Sequence, residues 1–122
     1  MSKILIVDDD PDVVDACRLF LEKQGFAVSG VYSRAEGMKA VQAQAPDLLI
    51  LDVMMEQPDD GIAMAQDLRR QGFKKPILML TSISKVTGMD FGKSELVPVD
   101  EFVEKPVDPA TLVAKVNKLL GK

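Results

Sequence analysis

Histidine and tryptophan are absent from the 122 residues, and the chain contains a single cysteine, Cys17. Without histidine, the chain cannot build a histidine-ligated metal site or a serine–histidine catalytic triad from its own residues. The lone cysteine has no partner for an internal disulfide, and no export signal is visible, so we expect a cytoplasmic protein. No apolar run approaches the ~20 residues needed to cross a bilayer, and we therefore expect no membrane partner.

Basic residues are outnumbered by acidic residues. The chain has 15 lysines and arginines against 19 aspartates and glutamates, a net charge of −4. Such a field repels the phosphates of nucleic acids, so we expect no direct nucleic-acid binding. The length and the 47% hydrophobic content suit one domain with a sizeable core, and we expect that domain to cover residues 1–122.

Short apolar runs alternate with amphipathic segments along the chain. The predicted strands cover residues 3–7, 26–31, 48–51, 76–80 and 101–104. The predicted helices begin at N-caps or first turns near Asp10, Ser33, Gly61 and Asp108, and a short additional helix is predicted around 85–91. This alternation is typical of an α/β fold, in which a parallel sheet is covered by helices on both faces.

Polar residues follow four of the predicted strands directly. Asp8 and Asp9 follow the first strand, Asp52 the third, Thr81 the fourth and Lys105 the fifth. Because open α/β sheets bind ligands at the carboxyl ends of their strands, we expect these side chains to share one crevice.

The residue types in this crevice favour phosphoryl chemistry. The carboxylates of Asp8, Asp9 and Asp52 are the hard oxygen ligands that suit Mg²⁺ beside a phosphate. Asp52 is the candidate nucleophile, because a carboxylate can accept a phosphoryl group as a mixed anhydride. Lys105 and Thr81 can supply a positive charge and a hydroxyl hydrogen bond to the phosphoryl oxygens.

Each of these residues also has a structural interpretation. Aspartates cap helices and end strands, and a lysine before a proline is common in surface turns. Independent turn residues would rarely place all of these groups, in this order, at successive strand ends. The combination therefore favours a functional site, while Cys17 is interpreted as a core residue.

The chain resembles the receiver domain of two-component response regulators, and it is similar to the stand-alone receivers of chemotaxis. The resemblance covers essentially the whole chain and rests on five motifs: Ile6-Val7-Asp8-Asp9, Leu51-Asp52-Val53-Met54-Met55, Asp60-Gly61, Leu80-Thr81-Ser82 and Glu104-Lys105-Pro106-Val107. It implies a flavodoxin-like, doubly wound, five-stranded parallel sheet of order 2-1-3-4-5, without an output domain.

The resemblance also implies residue roles. Asp52 is the phosphoacceptor, and Asp8, Asp9 and Asp52, together with the backbone carbonyl of Met54, bind the Mg²⁺ cofactor. Thr81 and Lys105 contact the phosphoryl group, and Thr81 and Phe102 form the switch. The peptide bond between Lys105 and Pro106 is expected to be cis.

Two segments depart from the family pattern. Relative to that pattern, residues 56–60 carry one extra residue in the loop after Asp52, and residues 93–100 replace the usual small-residue stretch before the fifth strand. Met54 and Ile83, which occupy positions that tune the phosphate's lifetime in the family, are apolar and orient water poorly. We therefore expect slow self-dephosphorylation.

The sequence thus predicts a phosphoacceptor signalling domain, not an enzyme acting on other substrates. The expected partners are a sensor histidine kinase or histidine phosphotransfer protein, which must supply the phosphohistidine, and an unknown downstream protein; homodimerisation on phosphorylation stays open. The alternative is a receiver-like module that binds proteins without phosphorylation. A flavodoxin-like cofactor binder is disfavoured, because Asp8, Asp9 and Asp10 would repel a flavin phosphate.

Overall fold

The structure is a computed structural model that describes residues 2–53, 60–81 and 99–121. Strands and helices alternate through most of this part of the chain. Their bounds are β1 Lys3–Val7, α1 Pro11–Glu22, β2 Ala27–Val31, α2 Arg34–Gln44, β3 Leu48–Asp52, α3 Asp60–Arg70, β4 Ile77–Thr81, β5 Glu101–Glu104 and α4 Pro109–Leu119. The helix predicted around 85–91 lies outside the described residues.

The five strands form one parallel sheet of order β2-β1-β3-β4-β5, which confirms the predicted fold. Side chains that alternate along the strands enter two cores. Ile4 and Ile6 of β1 pack with α1 and α4, whereas Leu5 and Val7 pack with α2 and α3. The sheet is therefore covered on both faces, as expected for nearly continuous apolar strands.

Local capping signals account for most helix ends. Asp10, Ser33 and Asp108 are the N-caps of α1, α2 and α4, and each side chain accepts a hydrogen bond from a backbone N–H in the first turn. Helix α2 ends at Gln44, and Ala45, directly before Pro46, takes a left-handed conformation with φ of 47°. The residue before a proline avoids the right-handed helical region, so the chain turns one residue earlier.

Among the described residues, no helix is long and apolar enough to span a membrane.

Candidate functional site

The parallel register brings the carboxyl ends of four strands to one edge of the sheet. Val7 pairs with Leu51, Asp52 with Leu80, and Thr81 with Glu104. The residues that end or follow these strands consequently meet at the same edge. We refer to Asp8, Asp9, Asp52, Thr81 and Lys105 as the strand-end cluster.

Asp8 is held in place by the turn from β1 into α1. Its side chain is fully buried, and Oδ1 accepts a hydrogen bond of 2.9 Å from the backbone N–H of Asp10. Its own backbone N–H donates to the carbonyl of Val31 at 3.2 Å. Because the chain turns directly after the strand, Asp9 can reach the same edge as Asp8 although the two residues are adjacent.

Lys105 bridges two of the site carboxylates. Its Nζ lies 3.0 Å from Asp8 Oδ2 and donates to Asp52 Oδ1 at 3.1 Å. Burial alone would lower the pKa of Lys105, but the nearby carboxylates of Asp8 and Asp52 outweigh burial and raise it. Lys105 is therefore held in its charged form beside Asp52.

Backbone contacts set the position of Lys105. Its N–H donates to the carbonyl of Thr81 at 2.8 Å, and the peptide bond between Lys105 and Pro106 is cis. The side chain of Lys105 thus starts from the end of β5 and reaches two strands across the sheet to Asp52.

The acidic part of the cluster has the donor set for a hard divalent cation. One carboxylate oxygen from each of Asp8, Asp9 and Asp52 lies within 4.8 Å of the other two. Asp8 Oδ2 is close to Lys105 Nζ but receives no hydrogen bond of acceptable geometry from the described residues. A buried carboxylate oxygen without a directed donor is suited to a metal-bound water or to the metal itself, so these residues fit Mg²⁺.

Asp52 and Thr81 lie at the ends of neighbouring central strands, and both are nearly buried, with 5% and 4% of their surface exposed. Phe102 lies on β5 opposite Met79 and packs against the core that faces α2 and α3. The alternation of side chains along β4 places Met79 and Thr81 on the same face of the sheet. The structure thus places Thr81 at the end of the strand next to Asp52 and Phe102 on the adjoining strand. Met54 lies outside the described residues.

The start of α3 rests on the backbone of the candidate phosphoacceptor. The N–H of Gly61 donates to the carbonyl of Val53 at 2.9 Å. A Cβ atom at Gly61 would lie 1.9 Å from the carbonyl oxygen of Asp52 and 2.8 Å from Val53 Cα. Only glycine fits there without a backbone shift.

Sequence reasoning missed two features of this site. It included Asp60-Gly61 as a motif without assigning a contact between Gly61 and Asp52, although a glycine at the start of an amphipathic helix is the available signal. It also assigned nothing to Arg34, whose guanidinium lies 3.8 Å from Asp60 Oδ1 and hydrogen-bonds Asp67. No sequence signal identifies these ion pairs, because they join different helices.

Cys17 lies in the core, as expected. Burial, followed by the negative charge of Asp8, raises the pKa of its thiol to about 11, although Lys105 acts in the opposite direction. The thiol is therefore kept protonated and poorly reactive near neutral pH.

Comparison with known proteins agrees with this geometry. A family model described as the response regulator receiver domain matches residues 4–117. Regulatory protein VanRc of Enterococcus gallinarum is 36% identical over 126 residues, which cover 99% of this chain and 51% of the relative. The alkaline phosphatase synthesis transcriptional regulatory protein PhoP of Bacillus subtilis is 35% identical over 99% of this chain and 49% of its own length. The chain thus spans about half the length of these curated relatives.

Solved structures resemble the chain over its full length. The response regulator protein TrrA of Thermotoga maritima, crystallised in complex with Mg(2+)-BeF, is 30% identical with a TM-score of 0.83, and the match covers 98% of this chain and all of that one. A putative response regulator from Chloroflexus aurantiacus is 28% identical with a TM-score of 0.84, covering 99% of this chain and 98% of that one.

Proposed function

The chain belongs to the response regulator receiver domain family, and from this premise we propose that Asp52 accepts a phosphoryl group from a phosphohistidine on a partner protein. Receiver domains are signalling domains, and response regulators are phosphorylated by histidine kinases. The partner proposed here is accordingly a sensor histidine kinase or a histidine phosphotransfer protein.

One observation carries the proposal. The nearly buried carboxylate of Asp52 lies 3.1 Å from Lys105 Nζ and within 4.8 Å of carboxylate oxygens from Asp8 and Asp9. A nucleophilic carboxylate, an ammonium group and a cation-binding pair are therefore next to one another, which is the arrangement that phosphoryl transfer requires.

Each residue has a defined task in this reaction. The P–N bond of the phosphohistidine breaks while a P–O bond forms to Asp52. The imidazole leaves as neutral histidine because its other ring nitrogen already carries a proton. Lys105 stabilises the negative charge on a phosphoryl oxygen, and the Thr81 hydroxyl donates a hydrogen bond to another. Asp8, Asp9, Asp52 and the carbonyl of Met54 would hold Mg²⁺, which supplies charge neutralisation between the acceptor and the phosphoryl group.

Phosphorylation is proposed to act through Thr81 and Phe102. Thr81 lies at the site, whereas Phe102 lies on the adjoining edge strand with its side chain only partly buried. A contact between the phosphoryl group and Thr81 would favour one of two surfaces around Phe102, which a downstream protein reads.

Acetyl phosphate tests the proposal directly. Wild-type protein incubated with acetyl phosphate and Mg²⁺ is expected to gain the mass of one phosphoryl group, and Asp52→Asn is expected to gain none. Gain in both proteins would place the modification elsewhere. Gain in neither, with acetyl phosphate and with histidine kinases, would favour the alternative of a protein-binding module that works without phosphorylation.

A further inference from the structure

Arg34 connects two helices close to the phosphoacceptor. It is the first residue of α2, directly after the N-cap Ser33. Its Nη1 lies 3.8 Å from Asp60 Oδ1, and its Nη2 donates to Asp67 Oδ2. Asp60 and Asp67 are seven residues apart and therefore lie on the same face of α3. One guanidinium thus contacts carboxylates from two positions that are two helical turns apart.

Asp60 is the first residue of α3 and is 8% exposed. It immediately precedes Gly61, whose N–H donates to Val53 and whose missing Cβ allows α3 to approach the Asp52 carbonyl. Asp60 thus ties the guanidinium of Arg34 to the point where α3 touches the phosphoacceptor strand.

The position of α3 at this point bears on the chemistry. Asp52 and Val53 immediately precede Met54, the proposed carbonyl ligand of the cation. A shift of Gly61 by a fraction of an ångström would move the backbone that carries the nucleophile, and small misplacements of reacting groups have large effects on rate.

We propose that Arg34 is a positioning residue for Asp52: it holds Asp60 and Asp67, and through them keeps Gly61 against the backbone of Asp52 and Val53. The inference rests on the proposed role of Asp52 as phosphoacceptor. Lysine cannot replace arginine fully at this position, because one ammonium does not reproduce a planar guanidinium whose two nitrogens face two different carboxylates.

The chain contains a matched control for Arg34. Arg70 also binds Asp67, at 2.9 Å, but it is 73% exposed and lies at the opposite end of α3 from Asp60. Arg34→Gln and Arg70→Gln remove the same charge, and both remove one contact to Asp67. Only Arg34→Gln removes the contact to Asp60.

Three measurements test the inference. They are the hydrogen exchange rate of the Gly61 amide in metal-free protein, the affinity for Mg²⁺ and the rate of phosphorylation by acetyl phosphate at saturating Mg²⁺. For Arg34→Gln we expect faster exchange at Gly61, weaker Mg²⁺ binding and phosphorylation slower by roughly tenfold. We expect Arg70→Gln to stay close to wild type and Arg34→Lys to fall between the two.

Equal behaviour of Arg34→Gln and Arg70→Gln in all three measurements would overturn the inference. If Arg34→Gln does not fold, Asp60→Asn replaces it, because it removes the charge that Arg34 contacts at the start of α3. A wild-type rate and wild-type Gly61 exchange in that variant would have the same meaning. If wild-type protein takes up no phosphate, the proposed function fails, and Gly61 exchange together with Mg²⁺ affinity still decides whether Arg34 positions this backbone.

Discussion

At the scale of single residues, three carboxylates at the sheet edge lie close to one ammonium group. Asp8 is fully buried beside Asp9 and Asp52, and Lys105 is the cation that contacts both Asp8 and Asp52. Without a metal ion, the repulsion between three carboxylates and the burial of Asp8 both act against the attraction of Lys105. The same three carboxylates that fit Mg²⁺ are therefore expected to lower the stability of the metal-free protein.

The repulsion among these carboxylates predicts how Asp8→Asn changes the free energy of unfolding with and without Mg²⁺. Asparagine keeps an acceptor for the Asp10 N–H but removes a buried charge, so we expect the free energy of unfolding without metal to rise by about 1 kcal/mol. Urea unfolding with EDTA and with Mg²⁺ measures both states. Mg²⁺ should stabilise the wild type clearly, and it should stabilise Asp8→Asn only slightly.

The control for the loss of one negative charge is Asp15→Asn, at an exposed position on α1. An undiminished Mg²⁺ effect in Asp8→Asn would contradict the assignment of Asp8 to the metal site.

At the level of elements, two helices approach the sheet through glycine but meet different neighbours. A Cβ at Gly61 of α3 would strike the backbone of Asp52 and Val53. A Cβ at Gly37 of α2 would lie 2.8 Å from Met64 Cε, the end of a flexible side chain, and 3.0 Å from the methyl groups of Val7. Side-chain ends can move at small cost, whereas the backbone of a central strand cannot.

We therefore expect Gly61→Ala to be much more damaging than Gly37→Ala. Overpacking against backbone should lower the free energy of unfolding by about 1–3 kcal/mol, or more if the strand must move. At Gly37 the gain in helix propensity, about 1 kcal/mol, should offset part of the strain. Thermal or urea unfolding of the two variants checks the order. Equal losses would show that α3 is free to shift away from Asp52.

At the level of the whole molecule, the lifetime of the phosphorylated state depends on how water reaches the anhydride. Met54 and Ile83 both lie outside the described residues, so the basis of this prediction is their apolar character. Apolar side chains cannot orient a water molecule for attack on the phosphoryl group.

We expect the phosphorylated protein to lose its phosphate slowly, over minutes or longer, once acetyl phosphate is removed. Intact mass measured against time gives the rate, and unfolded phosphoprotein at the same pH serves as the control for uncatalysed hydrolysis. Loss within seconds, in the absence of any phosphatase, would reject the prediction.

The sequence by itself determined the class of fold and the residues that meet at the sheet edge. Apolar runs, N-caps and glycines are local signals, and a parallel sheet necessarily gathers the carboxyl ends of its strands. For this reason Asp8, Asp52, Thr81 and Lys105 could be predicted at one sheet edge without coordinates, and their chemistry together with the resemblance to receiver domains led to the roles proposed for them.

Only the tertiary structure decided how these residues touch. Lys105 and Asp52 are 53 residues apart, and their 3.1 Å contact depends on strand register. The approach of Gly61 to the Asp52 backbone and the pairing of Arg34 with α3 depend on how α2 and α3 pack on the sheet. Such contacts join segments with no local sequence relation, because they arise from the packing of whole elements against one another.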